Sequence, residues 1–331
     1  MSKLSGTPSS QTILLVGKPW RGGLARYVRA ALDALFPGQV VWLPTYPETA
    51  KDARLYRKDR KAWREALLRR IEQAQYAAAL FINHPDGLDG LPARPNHVLW
   101  LTDDPRQPPD AYTPYARVHV SDPGYGSELR SILGERYGGV VPFAHCRHTH
   151  RFVGASRQRG ACMVANRDPK RDLHLDALFR AGMAPLTVGN YFARHRLFWR
   201  APWRFRPRVA NSAMGDIYAR HAVSLNVHAE VVREGTNMRT FECAAYGIAQ
   251  LVEYRPGLEE LFTLDDELAI YHEAAELPDA MAALLSDAPR QIQMAERARE
   301  RVSAAHCYEH RVAALLTGVL QAPALKRWQR D

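Results

Sequence analysis

Residues 224–262 read SLNVHAEVVREGTNMRTFECAAYGIAQLVEYRPGLEELF, and the order of elements in this stretch decides the fold class. Residues 223–227 form a short apolar run, read as a buried strand. Residues 237–246 have helical periodicity, and Gly247 stands where a helix-terminating glycine belongs. Residues 249–252 form the next apolar run. A strand, a helix and a strand in close succession make a crossover unit, which joins parallel neighbours in one sheet.

The connection between the first strand and the helix carries the chemistry. Glu234 and Glu242 stand with seven residues between them, and Gly235 follows the first. Thr236 or Asn237 can cap the helix, which leaves the backbone N–H groups of Asn237, Met238 and Arg239 to face an anion. Gly235 lets that backbone approach closely. A pyrophosphate fits such a site. Glu242, about a turn into the helix, can accept two hydrogen bonds from a ribose diol. Glu234, before the helix, can meet sugar hydroxyls or the phosphate side of a ligand. On spacing alone, an ordinary capped helix with surface glutamates is the favoured account.

The same alternation runs outward in both directions. Strands are expected at 12–17, 40–43, 77–82, 98–101, 118–120 and 139–141, with helices at 25–35 and 57–75. The pattern pauses over 142–159, which is rich in His and Arg and reads as a linker. It restarts with strands at 161–165 and 185–188, helices at 173–181 and 216–220, and helices at 257–262, 278–285, 288–304 and about 308–320. The expectation is α/β: two Rossmann-like domains facing across a cleft. Residues 1–145 form the first domain and 160–331 the second, whose last helix can cross back. Sheets of this type bind ligands at their strand carboxyl ends.

Bulk composition narrows the partners. The chain has 331 residues, 46% of them hydrophobic and 24% charged, which suits a globular protein with two cores. No apolar run approaches the roughly 20 residues of a spanning helix, and the N-terminus has no apolar signal core, so a cytoplasmic location is expected. The net charge of +10 favours anionic partners. Cys146, Cys162, Cys243 and Cys307 form no CxxC pair and read as buried free thiols; no metal or cofactor is expected.

The stretch 224–262 resembles the C-terminal domain of CgeB-like glycosyltransferases, the spore maturation protein group. That group is related to the large retaining GT-B families with paired glutamates. The resemblance continues to Tyr308-Glu309-His310-Arg311, similar to the family's closing helix, and covers about a third of the chain. Weaker likenesses lie in Val164-Ala165-Asn166-Arg167-Asp168-Pro169-Lys170-Arg171, in Leu101-Thr102-Asp103-Asp104-Pro105 and in Val120-Ser121-Asp122. The resemblance implies a nucleotide-sugar donor. Glu242 would hold its ribose, and Glu234 its sugar or phosphate. Asn237, Met238 and Arg239 would supply amides to the pyrophosphate. Arg167 and Lys170 would neutralise the leaving diphosphate in place of a metal. Thr236 stands where many relatives have an aromatic residue.

The first half offers weaker candidates. Gly22-Gly23 follows the first strand; these glycines can admit a phosphate or the acceptor, or simply start a helix. His84, with Asp86 two residues on, follows the 77–82 strand and can face an acceptor hydroxyl as base, although a polar turn accounts for it better. Asp104 follows another strand and is a further base candidate; its pairing with Asp103 is no metal motif. The basic helix 57–70 reads as a solvated face, with room for peripheral contact to an anionic membrane. The insert 192–208 mixes arginine with five large aromatics and can dock a lipid-linked or polymeric acceptor, or pack on the sheet.

The sequence reading is therefore a retaining, metal-independent glycosyltransferase acting on a glycan, protein or small-molecule acceptor. Two competitors stand beside it: a nucleotide-sugar epimerase or hydrolase on the same fold, and a basic nucleic-acid-associated protein, DNA glycosylation included. Neither basic region carries a nucleic-acid-binding motif.

Overall fold

A computed structural model describes residues 12–20, 22–85, 90–103, 105, 107–152, 160–191 and 193–329. They form two compact units. The first holds the described residues of 1–121, 125–142 and 308–331; the second holds 122–124 and 143–307. Asp104 and Asp86 lie outside the described residues.

In the first unit, β1 (Ile13–Gly17), β2 (Val40–Pro44), β3 (Ala78–Ile82), β4 (Arg94–Leu101), β5 (Tyr115–Val120) and β6 (Tyr137–Val140) pair in parallel in the order β2-β1-β3-β4-β5-β6. Central strands such as β1 and β3 are buried on both faces, which is why they read as unbroken apolar runs rather than alternating ones. One face carries Leu14, Val16, Phe81, Leu99 and Val118. Leu67 and Ile71 of α3 (Arg60–Gln73) and Leu129 and Leu133 of α4 (Gly126–Leu133) pack into it. On the other side α1 (Leu24–Leu35) packs against α10 (Tyr308–Leu316), which also meets β3 and β4. Tyr308 stacks on Tyr27 at 5.9 Å and meets Trp100 edge-on at 6.4 Å.

The basic helix expected over 57–75 is two helices. α2 (Ala50–Lys58) stops at Asp59, whose side chain accepts the Ala62 N–H at 2.8 Å and starts α3. A single aspartate can break a helix this way because its carboxylate offers the next turn a better partner than the preceding helix does.

The second unit is built on β7 (Ala161–Val164), β8 (Leu186–Val188), β9 (Phe205–Arg206), β10 (Val223–Asn226), β11 (Ala249–Glu253) and β12 (Ala269–Tyr271). All pairings are parallel, in the order β9-β8-β7-β10-β11-β12. One face is covered by α5 (Pro169–Arg180) and α8 (Leu277–Ser286) through Leu175, Leu178, Met281 and Leu284. The other is covered by α6 (Met214–Ala219) and α7 (Met238–Tyr246), with α9 (Ala288–Ala305) against α7 and β11. The helix expected at 257–262 is only a short 3-10 turn, Pro256–Leu258. Within the stretch read as a linker, the His145 N–H donates to His306 O at 2.9 Å, and Ala144, His145, Cys146 and His150 are buried while 147–149 are exposed. All four cysteines are buried and free.

Candidate functional site

The strand order locates the binding end of the second sheet. Counted within the unit, it is the 3-2-1-4-5-6 arrangement, whose direction of growth reverses between β7 and β10. Ligands of such sheets sit outside the strand carboxyl ends at that reversal. The chain leaves β7 into residues 165–168 and leaves β10 into 227–237; these segments carry Arg167 and Glu234 and lead into the helices that carry Lys170 and Glu242.

The glutamate loop is fixed by a residue remote in sequence. Asp122 Oδ1 accepts the N–H groups of Gly235 at 2.9 Å, Glu234 at 3.1 Å and Gly124 at 2.9 Å, and its Oδ2 accepts that of Arg233 at 2.8 Å. Close packing explains the glycines. A Cβ on Gly124 would lie 2.6 Å from Arg233 Cβ, and one on Gly257 would lie 2.7 Å from Glu234 O, which itself accepts the Gly257 N–H at 2.8 Å. Glu234 is thus an exposed carboxylate on a backbone held from both sides.

Beneath the loop lies a buried polar network. Asn237 is the N-cap of α7, its Oδ1 accepting the Arg239 N–H at 3.0 Å. Its amide and that of Asn226 exchange hydrogen bonds at 2.9 and 3.2 Å. Asn226 also donates to Thr240 Oγ1 at 2.8 Å; Thr240 meets Thr236 at 2.6 Å, and Thr236 meets His228 Nε2 at 2.8 Å. Thr236, held open as a capping residue on sequence, is a buried link in this network instead. The amide cradle is also smaller than expected. The Gly235 N–H is held by Asp122 and that of Arg239 by the cap, which leaves the N–H groups of Asn237 and Met238 without a partner among the described residues.

The cations converge on the same end. Lys170 Nζ is 2.5 Å from Glu253 Oε1 at the end of β11, and Arg255 reaches the same oxygen at 3.0 Å. The other oxygen of Glu253 accepts the His228 N–H at 3.0 Å. Lys170 is therefore joined through Glu253 and His228 to Thr236. Arg171 donates to Val227 O at 2.9 Å and ties the start of α5 to the end of β10. Arg167 is exposed; its guanidinium pairs with Asp172 at 2.8 Å and its N–H donates to Asn190 Oδ1. Asn190 follows Gly189, where φ is +148° and a Cβ would lie 1.9 Å from Ala165 O.

Glu242 differs most from expectation. It is buried, one carboxylate oxygen bonded by Arg239 and the other 3.6 Å from His150 Nε2. Burial raises its pKa, with Arg239 opposing the rise. Burial, with Arg239 adding to it, pushes the His150 pKa down to about 3, so the imidazole is neutral at physiological pH.

The remaining candidates belong to the first unit. Its sheet order also reverses, between β1 and β3. Gly22 adopts φ +69° after β1, and Gly23 is the N-cap of α1 without any capping side chain. His84 follows β3 and shares a 2.9 Å hydrogen bond through Nδ1 with Tyr115 Oη. Asn83, at φ +58°, joins the ends of β3 and β4 by accepting the Thr102 N–H at 2.7 Å. Among the described residues, no three His, Cys, Asp or Glu side chains gather as metal ligands, and no helix is long and apolar enough to cross a membrane.

Sequence reasoning singled out Glu234, Lys170 and Arg167 but missed His228, Glu253 and Asp172. Asp122 was marked only by resemblance, because its partners lie more than a hundred positions away.

Comparison with known proteins matches residues 160–317 to the family described as glycosyl transferase-like. No curated protein matches the chain in sequence. Solved structures match over nearly the whole length. Sucrose-phosphate synthase from Thermosynechococcus elongatus aligns with a TM-score of 0.65 at 14% identity, over 93% of this chain and 97% of that one. Anabaena HepE in complex with UDP and glucose gives 0.66 at 11% identity, over 93% and 100%. WaaG, a glycosyltransferase of lipopolysaccharide biosynthesis, gives 0.59 at 14% identity, over 92% and 100%. The chain has the GT-B fold, and residues 160–317 match the glycosyl transferase-like family.

Proposed function

We propose that the protein transfers a sugar from a nucleoside-diphosphate donor to an acceptor hydroxyl, with the donor at the β7/β10 reversal of the second sheet. The observation that carries this reading is the joining of Lys170, through Glu253 and His228, to the loop and helix start that follow β10. HepE structures holding UDP and UDP-glucose on the same fold support a nucleotide-sugar donor.

In this reading the diphosphate lies over the start of α7, where Asn237 and Met238 offer backbone N–H groups and the helix dipole favours negative charge. Lys170 and Arg167 stabilise the charge that develops on the leaving diphosphate as the glycosidic bond breaks. Arg239 is drawn from Glu242 toward the phosphates, and the freed carboxylate accepts the ribose hydroxyls. Glu234, exposed on its anchored loop, meets the donor sugar. Transfer proceeds with retention of anomeric configuration and without a metal, the cations of the chain serving that role. His84 stands as candidate base for the acceptor hydroxyl, and Gly22 and Gly23 as a candidate loop for the acceptor or a phosphate.

The test is release of nucleoside diphosphate from a panel of nucleotide sugars, with and without added acceptors. Acceptor-dependent release supports the reading. Release that is equally fast without acceptor assigns the site to hydrolysis, and conversion without release assigns it to epimerisation.

A further inference from the structure

Residues 197–206 serve neither the donor site nor the bulk of the core, and they repeat a four-residue pattern: Leu197-Phe198-Trp199-Arg200, Ala201-Pro202-Trp203-Arg204, Phe205-Arg206. The structure gives the repeat a physical meaning. Leu197, Ala201 and Phe205 are 4%, 9% and 3% exposed, whereas Trp199 and Trp203 are 75% and 70% exposed. The first member of each repeat anchors the backbone, and the third stands in solvent. Two neighbouring 3-10 turns, Arg196–Trp199 and Pro202–Arg204, present the tryptophans, and the edge strand β9 ends the run.

The charges follow the same register. Arg200, Arg204 and Arg206 are exposed, and among the described residues none of their guanidinium groups makes an ion pair. No Asp or Glu occurs anywhere in 177–215. This face thus pairs exposed indoles with uncompensated cations, in a chain of net charge +10.

We propose that this face docks on an anionic lipid surface. Indole rings favour the boundary between headgroups and acyl chains, and arginines beside them meet lipid phosphates while their stems lie along apolar groups. The degree of exposure separates this partner from others. A stacking partner such as a base or a sugar ring uses one face of an indole and is best served when the other face is packed. Among the described residues Trp199 has only an edge-on ring contact, with Phe198 at 5.1 Å, and it is 75% exposed. A medium that surrounds the ring suits it better than a single flat ligand.

The experiment is co-sedimentation of the full-length protein with vesicles of mixed phosphatidylglycerol and phosphatidylcholine, or of phosphatidylcholine alone. It compares the wild type with Trp199→Ala/Trp203→Ala and with Arg200→Gln/Arg204→Gln. All four side chains are exposed, so the melting temperature should stay unchanged and serves as the folding control. The wild type is expected to prefer anionic vesicles by about tenfold or more, and each double variant to lose about tenfold of that binding, as expected for two interfacial charges or two inserted rings. Failure to bind anionic vesicles overturns the proposal. So does unchanged binding by the tryptophan variant, which would move the contact to the basic α2 and α3. Tryptophan-dependent binding of oligosaccharide or single-stranded DNA without vesicle binding would likewise overturn it and assign the face to that ligand.

Discussion

Both carboxylate oxygens of Asp122 accept backbone N–H groups from the loop that carries Glu234. In Asp122→Ala the N–H groups of Arg233, Glu234 and Gly235 lose their acceptor together, and Gly235 is buried. The expected loss of stability is roughly 3 kcal/mol, the size of one or two charge-assisted hydrogen bonds, with a raised KM for the donor. Denaturant melts and initial rates check both; a variant as stable as the wild type would contradict the anchoring role. At this scale the sequence was informative about residue types and poor about environment. The spacing of Glu234 and Glu242 marked two carboxylates but not that one is exposed and the other sealed. A signal was present: Arg239 stands three positions before Glu242 on a helix, where the two side chains are neighbours.

At the scale of elements, the start of α7 concentrates the site. Asn237 caps the helix and also pairs with Asn226 across from β10. Asn237→Ala should therefore cost about 1–2 kcal/mol, toward the upper end for a lost cap, because Asn226 Oδ1 loses its donor as well. Urea unfolding reads the loss, and a change within experimental error would show that the cap is redundant. Most strands and the longer helices were legible because runs such as 78–82 and 249–253 are buried on both faces. β9 and β12 escaped because two or three residues carry no periodicity. The break at Asp59 escaped because it uses neither Pro nor Gly.

At the scale of the molecule, buried histidines set the pH limit. Burial lowers the pKa of His97 and His119 to about 4 and that of His150 to about 3. Each folded-state value lies below the unfolded value of 6.5, so the native state binds fewer protons between the two. The stability these groups allow is complete above about pH 6.5 and falls as pH drops toward 4 and below, by about 3 kcal/mol each for His97 and His119 and about 5 kcal/mol for His150 at the limit. The melting temperature should decline steeply over that window. Neither ring nitrogen of His119 has a hydrogen-bond partner among the described residues, so His119→Leu should hold its stability at pH 7 and decline less below pH 6. An equally steep decline in that variant would contradict the assignment. The two sheets, legible from alternating elements, also account for the site's position, since strand order alone puts Lys170 and the α7 start at one reversal.

The measurement closest to the central claim is calorimetric titration of the purified protein with a panel of nucleoside diphosphates, for wild type and Lys170→Ala. The account predicts that one base binds selectively and that the variant, still folded, binds it at least about tenfold more weakly, the loss expected for one charge-assisted contact. No binding of any nucleoside diphosphate by the folded wild type, or equal binding by Lys170→Ala, would contradict a donor site at the end of β7 and β10.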